Sequence, residues 1–389
     1  MQDTSRVAII GGGIIGCLTG WFLREAGFAG AITIIERDPT YRFSSTALSA
    51  ASIRTQFACP VNVSLSLFGS EFLRSIQNRL DPEADIGLVQ NGYLILASAP
   101  SAEMRRAALA MQQSLGAKVV ALDRADLATR FPWLNSEQVE LATLGTADEG
   151  WFDAWALLQA ARRAALRRDV AIIQAEASGF ETDGGRIEGV RMADGSSLQA
   201  DWCVNAAGPL SGKVARWLGI ALPVAPKKRT VFHFRAPLSG KDMPMLFDIS
   251  GAWMRPEGEG FIGGIQPAAD ADPDAGEDFE PDHYLFEDRV WPLLAARVPA
   301  LEQIRLLNAW AGHYEMNLFD HNGVVGPHPD LPNFLFATGF SGHGIMHAPG
   351  VARAIAEHVV HGRYTSIDVG PLGFGRIAAD RPMPESAIY

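Results

Sequence analysis

The sequence predicts an α/β fold with two lobes, one wound on a parallel sheet and the other built on a separate sheet. Three observations lead there. The chain opens on a strand, a glycine turn, a helix and a second strand, the pattern of a parallel β-α-β unit with a right-handed crossover. Two more glycine-bearing strand-to-helix turns follow, at Val204–Pro209 and Thr338–Gly344. Between these turns lie strand-like runs outside such units, Pro223–Phe234 and Ala252–Ile265. At 389 residues the chain is too long for one ordinary core, so about two domains are expected.

In chain order, Val7–Ile10 is a short apolar run that ends in Gly11-Gly12-Gly13, hence a buried strand and a tight turn. Ile14–Ala26 reads as a helix stopped by Gly27, and Ala31–Glu36 as a second buried strand. The run Val7–Leu23 is neither a signal segment nor a membrane span. It lacks a basic leader, its glycines are patterned, and it falls short of the ~20 apolar residues a span needs. Asp153–Arg168 reads as an Ala-rich helix and Val170–Gln174 as a strand. Gly189–Met192 and Leu198–Val204 read as a hairpin around Asp194-Gly195. Pro267–Asp282 is rich in Pro, Asp, Ala and Gly and reads as an exposed loop. Phe334–Ala337 is a strand running into Gly339-Phe340-Ser341-Gly342-His343-Gly344, with a helix over Ala348–His361.

The net charge of -11 and pI near 5.3 argue against nucleic acid or an anionic membrane as the main partner. Cys17, Cys59 and Cys203 are odd in number, widely spaced and free of any CxxC. That excludes a disulfide framework and a structural zinc, and suits reduced thiols in a cytoplasmic protein. His313, His321 and His328 have no carboxylate at ligand spacing, so no metal is expected and they read as structural.

Gly11, Gly13 and Gly16 form GxGxxG, with Glu36 at the end of the next strand. The first glycine permits the turn, the second lets backbone approach a pyrophosphate, and the third lets helix pack on strand. The helix start at Ile14 and Ile15 aims free N–H groups at the phosphates. Glu36 would accept hydrogen bonds from the adenosine ribose, favouring FAD or NAD over NADP. The two later turns suit a long, two-ended ligand, which is FAD. The positive end of the helix after Gly342 suits the flavin edge where negative charge appears on reduction.

Four segments carry a family resemblance: GGGIIG with Glu36, Ser44–Arg54, VNAAGP, and Trp310–Glu357. They resemble the D-amino-acid-oxidase-like superfamily of FAD enzymes. Within it they are similar to sarcosine oxidase, glycine oxidase and proteins related to a mitochondrial assembly factor for respiratory complex I. The resemblance implies a Rossmann-type FAD-binding domain over 1–85, 146–218 and 318–389. A substrate domain on a mixed β-sheet follows for 86–145 and 219–317. It also implies FAD contacts from Arg37, Ser44, Ser45, Ser49, Ala177, Ala207, Gly208, Gly312, Gly339, Gly342, His343, Gly344 and Ile345, beside the fingerprint residues.

Departures from the sarcosine oxidases are informative. Their flavin-linking cysteine is replaced by Gly312, so FAD is expected to be non-covalent. Their carboxylate clamp is replaced by Phe57 and Met346, and their oxygen-activating lysine by Ile262. Arg54 falls where the family has an arginine by the flavin, the alternative being a surface arginine. Arg255 is the candidate replacement clamp, since a guanidinium grips a carboxylate bidentately, the alternative being a surface ion pair. Lys227, Lys228 and Arg229 read as a solvated basic face, or as a steering patch for an acidic substrate. Tyr314, Trp253 and Gln266 are candidates for the substrate cavity. His343 is expected at the cofactor; His347 is a core histidine or a proton acceptor.

The function that follows is oxidation of the C–N bond of a small carboxylated amine, with O2 or another electron acceptor. Two alternatives stay open: a 2-hydroxy-acid dehydrogenase, and a flavin-bearing assembly or electron-transfer subunit.

Overall fold

The computed structural model describes residues 5–268 and 272–386. Its first sheet has six strands. From one edge the order is Val324–His328, Leu331–Thr338, Trp202–Asn205, β1 (Arg6–Ile10), β2 (Ala31–Glu36) and Ala171–Gln174. All neighbours are parallel except the first pair. β1 is followed by α1 (Ile14–Glu25), so the opening β-α-β unit stands as expected.

The central strands of this sheet are mostly apolar because both their faces are covered. Alternate side chains take opposite sides. Val7, Ile9, Ile34 and Leu335 pack with α1 and the helices Ala154–Arg167 and Gly344–His361. Ala8, Ile10, Ile35 and Phe336 pack with Phe180, Ile187 and Val190 of a three-stranded antiparallel sheet.

The second sheet has eight strands and is mixed. Arg305–Asn317 is its edge, followed by Val224–Arg235, Gly260–Gly264, Trp253–Glu257, Met245–Phe247, Tyr93–Ala97, Leu141–Gly145 and Val119–Leu122. Only Met245–Phe247 and Tyr93–Ala97 pair in parallel.

Three sequence readings need correction. Leu198–Val204 is not one hairpin arm. Ser197–Gln199 pairs with Arg186–Met192, but Trp202–Asn205 leaves to lie parallel to β1. The break falls at Asp201, whose carboxylate accepts from the backbone N–H and Nε of Arg6 at 2.8 and 3.0 Å and so ties the chain to the start of β1. Ala252–Ile265 is two strands, Trp253–Glu257 and Gly260–Gly264, turned at Gly258. The helix expected over Ala348–His361 starts at Gly344 and runs through Pro349 to His361.

The two sheets meet where Arg305–Asn317 passes through a turn into Val324–His328. Asp320 in that turn is buried and gripped by Arg376, with Nε–Oδ2 2.7 Å and Nη2–Oδ1 3.0 Å. Arg376 also donates to the carbonyls of Asn322 and Gly323. Asn317 Nδ2 donates to Asp320, and the Asn317 N–H donates to Ser341 Oγ at 3.0 Å. The pair therefore fixes the Gly339–Gly344 turn through one intermediary, Asn317.

Removing one partner of a buried pair strands the other charge, at a cost of about 3–5 kcal/mol. Arg376→Met should lower the unfolding free energy from urea titration by that amount, moving the midpoint down with the m-value unchanged. A loss below about 1 kcal/mol would mean the pair is not coupled to global folding.

Candidate active site

A cavity of about 1240 Å³ lies between the two sheets. One end is the opening unit: Gly11, Gly13, Ile14, Ile15, Glu36 and Arg37 line it. Gly11 has φ +103°, and a Cβ there would meet the Ala206 carbonyl oxygen at 2.3 Å, so this turn is closed to other residues. Gly16 lies off the wall; a Cβ on it would strike the Gly11 carbonyl, the close helix–strand packing its position requires. Glu36 ends β2 with its carboxylate accepting from the N–H groups of Gly12 and Asp38, both at 2.8 Å.

The middle of the wall is the segment Ser44–Ala51, with Ala177, Ala207 and Gly208 opposite. Three side chains tack that segment to the eight-stranded sheet. Ser45 Oγ donates to the His313 carbonyl at 2.6 Å, and Trp310 Nε1 to the Leu48 carbonyl at 3.0 Å. Arg255 donates to the Ala50 carbonyl from Nε and Nη2, at 3.1 and 2.7 Å.

The far end is formed by Arg54, Gly312, Tyr314, Gly342, His343, Gly344, Ile345 and Met346. Tyr93, Phe247 and Trp253 stack in series as an aromatic wall, with ring centroids 5.3 and 6.3 Å apart. Gln266 faces the same space, and its Nε2 has no partner among the described residues.

Most of the residues expected at the cofactor or substrate therefore come together. Gly16 and Gly339 sit behind the wall, and Phe57 and His347 are packed beneath it. Arg255 is the main correction. It is buried but lines a separate cavity behind the Ser44–Ala51 segment, and it engages Ala50, Pro256 and Glu257. Its place is that of a brace for this segment. Ile262 lies in the same second cavity.

The basic run is corrected as well. Lys227 pairs with Asp274, Lys228 with Asp278 and Asp282, and Arg229 bidentately with Asp272. These pairs pull down the loop read as exposed, whose residues 269–271 lie outside the described residues. Phe279 from this loop stacks on His313, with centroids 3.8 Å apart, and both line the cavity. His313 is thus part of the site.

Burial and Arg54 set the electrostatics. Arg54 is buried, donates to the Gln56 carbonyl at 2.8 Å, and sits 4.1 Å from the Phe57 ring centroid. Burial, then the neighbouring His347 and Arg54, hold His343 well below the usual imidazole range. Burial, with Arg54 adding, pushes His347 down to about 3. Burial raises Tyr314 and pushes Glu315 up to about 7. The sequence reading missed Tyr93, Phe247, Phe279 and Glu315. Only Glu315, a charge inside an apolar strand, carried a local signal.

FAD suits these residues. Both ring nitrogens of His343 are buried without a partner on the wall of the cavity, ready for an acceptor or donor from a ligand. The Gly344–His361 helix starts there, with its first N–H groups facing the same space.

The fold and the cavity define an FAD-binding α/β oxidoreductase. Solved structures of the same fold include L-proline dehydrogenase from P. horikoshii, with TM-score 0.86 and 24% identity over 98% of this chain and 100% of that one. Glycine oxidase from Geobacillus kaustophilus follows with TM-score 0.80 and 22% identity, over 95% and 98%. The chain belongs to the DAO family of FAD dependent oxidoreductases, whose profile it matches over residues 6–358. It is 41% identical to FAD-dependent oxidoreductase domain-containing protein 1 of Bos taurus, over 99% of this chain and 87% of that one. Mitochondrial sarcosine dehydrogenase of Homo sapiens is 26% identical over 93% of this chain and 40% of its own length. Among the described residues no helix is long and apolar enough to cross a membrane.

The low pKa of His347 has a consequence for stability. Between pH 6.5 and about 3 the unfolded chain binds a proton on this histidine and the native protein does not. Stability must therefore fall as pH falls below 6.5, with a limiting slope of about 1.4 kcal/mol per pH unit from this group. His347→Leu should flatten the stability profile between pH 6.5 and 5 by that slope in chemical denaturation. An unchanged profile would show that His347 is protonated in the native state.

Proposed function

We propose that this enzyme oxidises the C–N bond of a small carboxylated amine: an N-substituted glycine, an iminodiacid or an amino acid. The observation that carries the reading is Arg54, a buried cation on the cavity wall beside Tyr314, His343 and the aromatic wall. A guanidinium in a water-poor cavity favours a carboxylate partner. The compounds named for relatives and structural neighbours agree: sarcosine, dimethylglycine, L-proline, glycine and iminodiacetate each combine an amine nitrogen with a carboxylate.

Bound FAD would supply the oxidant, taking a hydride from the carbon beside nitrogen; loss of the N–H proton to water leaves an imine for water to hydrolyse. The chain's own part is placement. The glycine turn and Glu36 hold the adenosine end, and Arg54 draws the carboxylate to the far end. Tyr93, Phe247 and Trp253 keep water from the reacting carbon. His343, held neutral, leaves a neutral amine neutral. The Gly344–His361 helix stabilises negative charge at its N-terminal end.

The cofactor on this reading is non-covalent. Gly312 lines the cavity, and a Cβ there would already meet Leu48 Cβ at 2.9 Å. Cys17, Cys59 and Cys203 are free, buried and absent from the wall. Acid precipitation should leave yellow cofactor in the supernatant; a yellow pellet would refute non-covalent binding.

A second reading has one observation in its favour. An alcohol substrate needs a base for its hydroxyl proton, and neutral His343, rather than His347, faces the cavity. Anaerobic flavin bleaching with N-alkyl glycines, iminodiacids, amino acids and 2-hydroxy acids separates the two.

Truncating one partner of a charged, desolvated pair costs about 2–5 kcal/mol. Arg54→Ala should therefore lower kcat/KM for the carboxylated amine by roughly 30-fold or more. Arg54→Lys should recover part of it. Arg255→Ala should instead weaken FAD retention by loosening Ser44–Ala51, with the preference for carboxylated over uncharged amines kept. Equal turnover of uncharged amines by the unmutated enzyme would remove the carboxylate from the proposal.

A further inference from the structure

Glu315 stands out on the cavity wall because, among the described residues, every other carboxylate lining it is at least partly exposed. It follows Tyr314 on the edge strand and lies beneath the start of the Gly344–His361 helix. A Cβ on Gly344 would meet its Oε1 at 2.9 Å. Its Oε2 accepts from Thr338 Oγ1 at 2.8 Å, and Thr338 Oγ1 is 2.7 Å from Ser211 Oγ and 3.3 Å from the Gly208 carbonyl.

This arrangement satisfies two protonation states. With Glu315 ionised, the Thr338 hydroxyl donates to it. With Glu315 protonated, the carboxyl donates to Thr338, whose hydrogen turns to the Gly208 carbonyl on the cavity wall. Neither state leaves a buried group unpaired, which a purely structural carboxylate does not require.

Burial and hydrogen bonds, rather than a paired charge, set the state of Glu315. Burial raises Glu315 to about 7 against the pull of Thr338 and the N–H groups of Gly339 and Phe340. The titratable side chains on the elements around it are Lys213 and Arg216 after the Gly208 turn, His343 and His347 at the helix start, Lys227, Lys228 and Arg229 on the adjacent strand, and His313 on its own strand. None of them bonds to it.

We propose that Glu315 takes up a proton when the bound flavin is reduced, and thereby sets how the flavin's potential depends on pH. Two electrons and one proton, together a hydride, enter the flavin from the substrate, leaving one negative charge in the cavity. The Glu315 carboxylate binds one proton from water and becomes a neutral carboxyl. When an electron acceptor re-oxidises the flavin, the proton returns to water. Glu315 is thus a positioning residue for charge, acting on the flavin from behind the helix start. The proposal rests on FAD filling this cavity and not on which amine is oxidised.

The test is the midpoint potential of the flavin in the purified holoprotein between pH 6 and 9, measured by spectroelectrochemistry with mediator dyes. One extra proton per two electrons adds about 30 mV per pH unit to the slope. Unmutated protein should show that extra slope above a break near pH 7, and Glu315→Gln should lack it. Glu315→Asp should restore it with a displaced break. An identical slope in Glu315→Gln would overturn the proposal. Should Glu315→Gln fail to load flavin, Thr338→Val gives the answer. Losing a donor to the carboxylate must move the break to higher pH, and an unmoved break would refute the assignment. A chain that oxidised no amine would still give these potentials, so failure of the substrate reading remains separate.

Discussion

The two lobes are joined by backbone that has no room for side chains. A Cβ on Gly342 would sit 2.3 Å from Tyr314 Cε2, and one on Gly344 would sit 2.9 Å from Glu315 Oε1. The edge strand of the eight-stranded sheet can therefore lie directly against the turn that leaves the six-stranded sheet. Gly342 also has φ +100°, which other residues rarely adopt. The Ser341 N–H donates to the Glu315 carbonyl at 3.1 Å, and the Asn317 N–H to Ser341 Oγ. Close approach and bonding thus act on the same few residues. Everything at the far end of the cavity inherits its position from them: His343, the helix start, Tyr314 and Glu315.

That joint also decides the charge of the site. It brings a helix N-terminus into a space that already holds Arg54, and burial keeps His343 from adding a second full charge. The outcome is a far end that holds a buried cation, a helix start and a histidine kept neutral. Such a pocket favours anionic groups and developing negative charge, and it does not favour general-base chemistry. An oxidation that needs placement more than proton abstraction suits it. The Arg255–Ala50 contact belongs to the same design, because it holds the segment that separates this pocket from the cavity behind.

The parts legible in the sequence were those written in local spacing. GxGxxG with Glu36 located the opening unit, and the glycines of Thr338–Gly344 located the turn that makes the joint. Arg255 shows where local reading stops. It shares a sheet face with Trp253, but two residues along a strand is about 7 Å, and here that distance crosses the Ser44–Ala51 segment. No spacing rule reports a wall contributed by residues two hundred positions away. The basic run failed in the same way. Lys227, Lys228 and Arg229 look solvated until Asp272, Asp274, Asp278 and Asp282 fold onto them. The Leu198–Val204 reading failed because a two-residue break at Ala200-Asp201 is invisible to hydrophobic pattern, while the Arg6–Asp201 bond that causes it is long-range.

The acidic loop gives the cavity a polarity along its depth. Glu277, Asp278 and Glu280 stand at its rim, while Arg54 is buried at the far end. The rim acids are exposed and screened by solvent, so each contributes little to binding. Their sum still acts on approach, and it is opposite in sign to the field at Arg54. A ligand with a carboxylate at one end and an amine at the other is oriented by such a gradient: the carboxylate is drawn inward and the cationic end is held longest at the rim. The amine must shed its extra proton before oxidation, and the rim is where water remains to take it. On the proposed reading, the loop held down by Lys227, Lys228 and Arg229 therefore supports catalysis without touching the reacting carbon. It sets acidic side chains on one part of the wall and the buried Arg54 on another, and on that proposed reading the separation would let the cavity recognise a zwitterion and oxidise its neutral form.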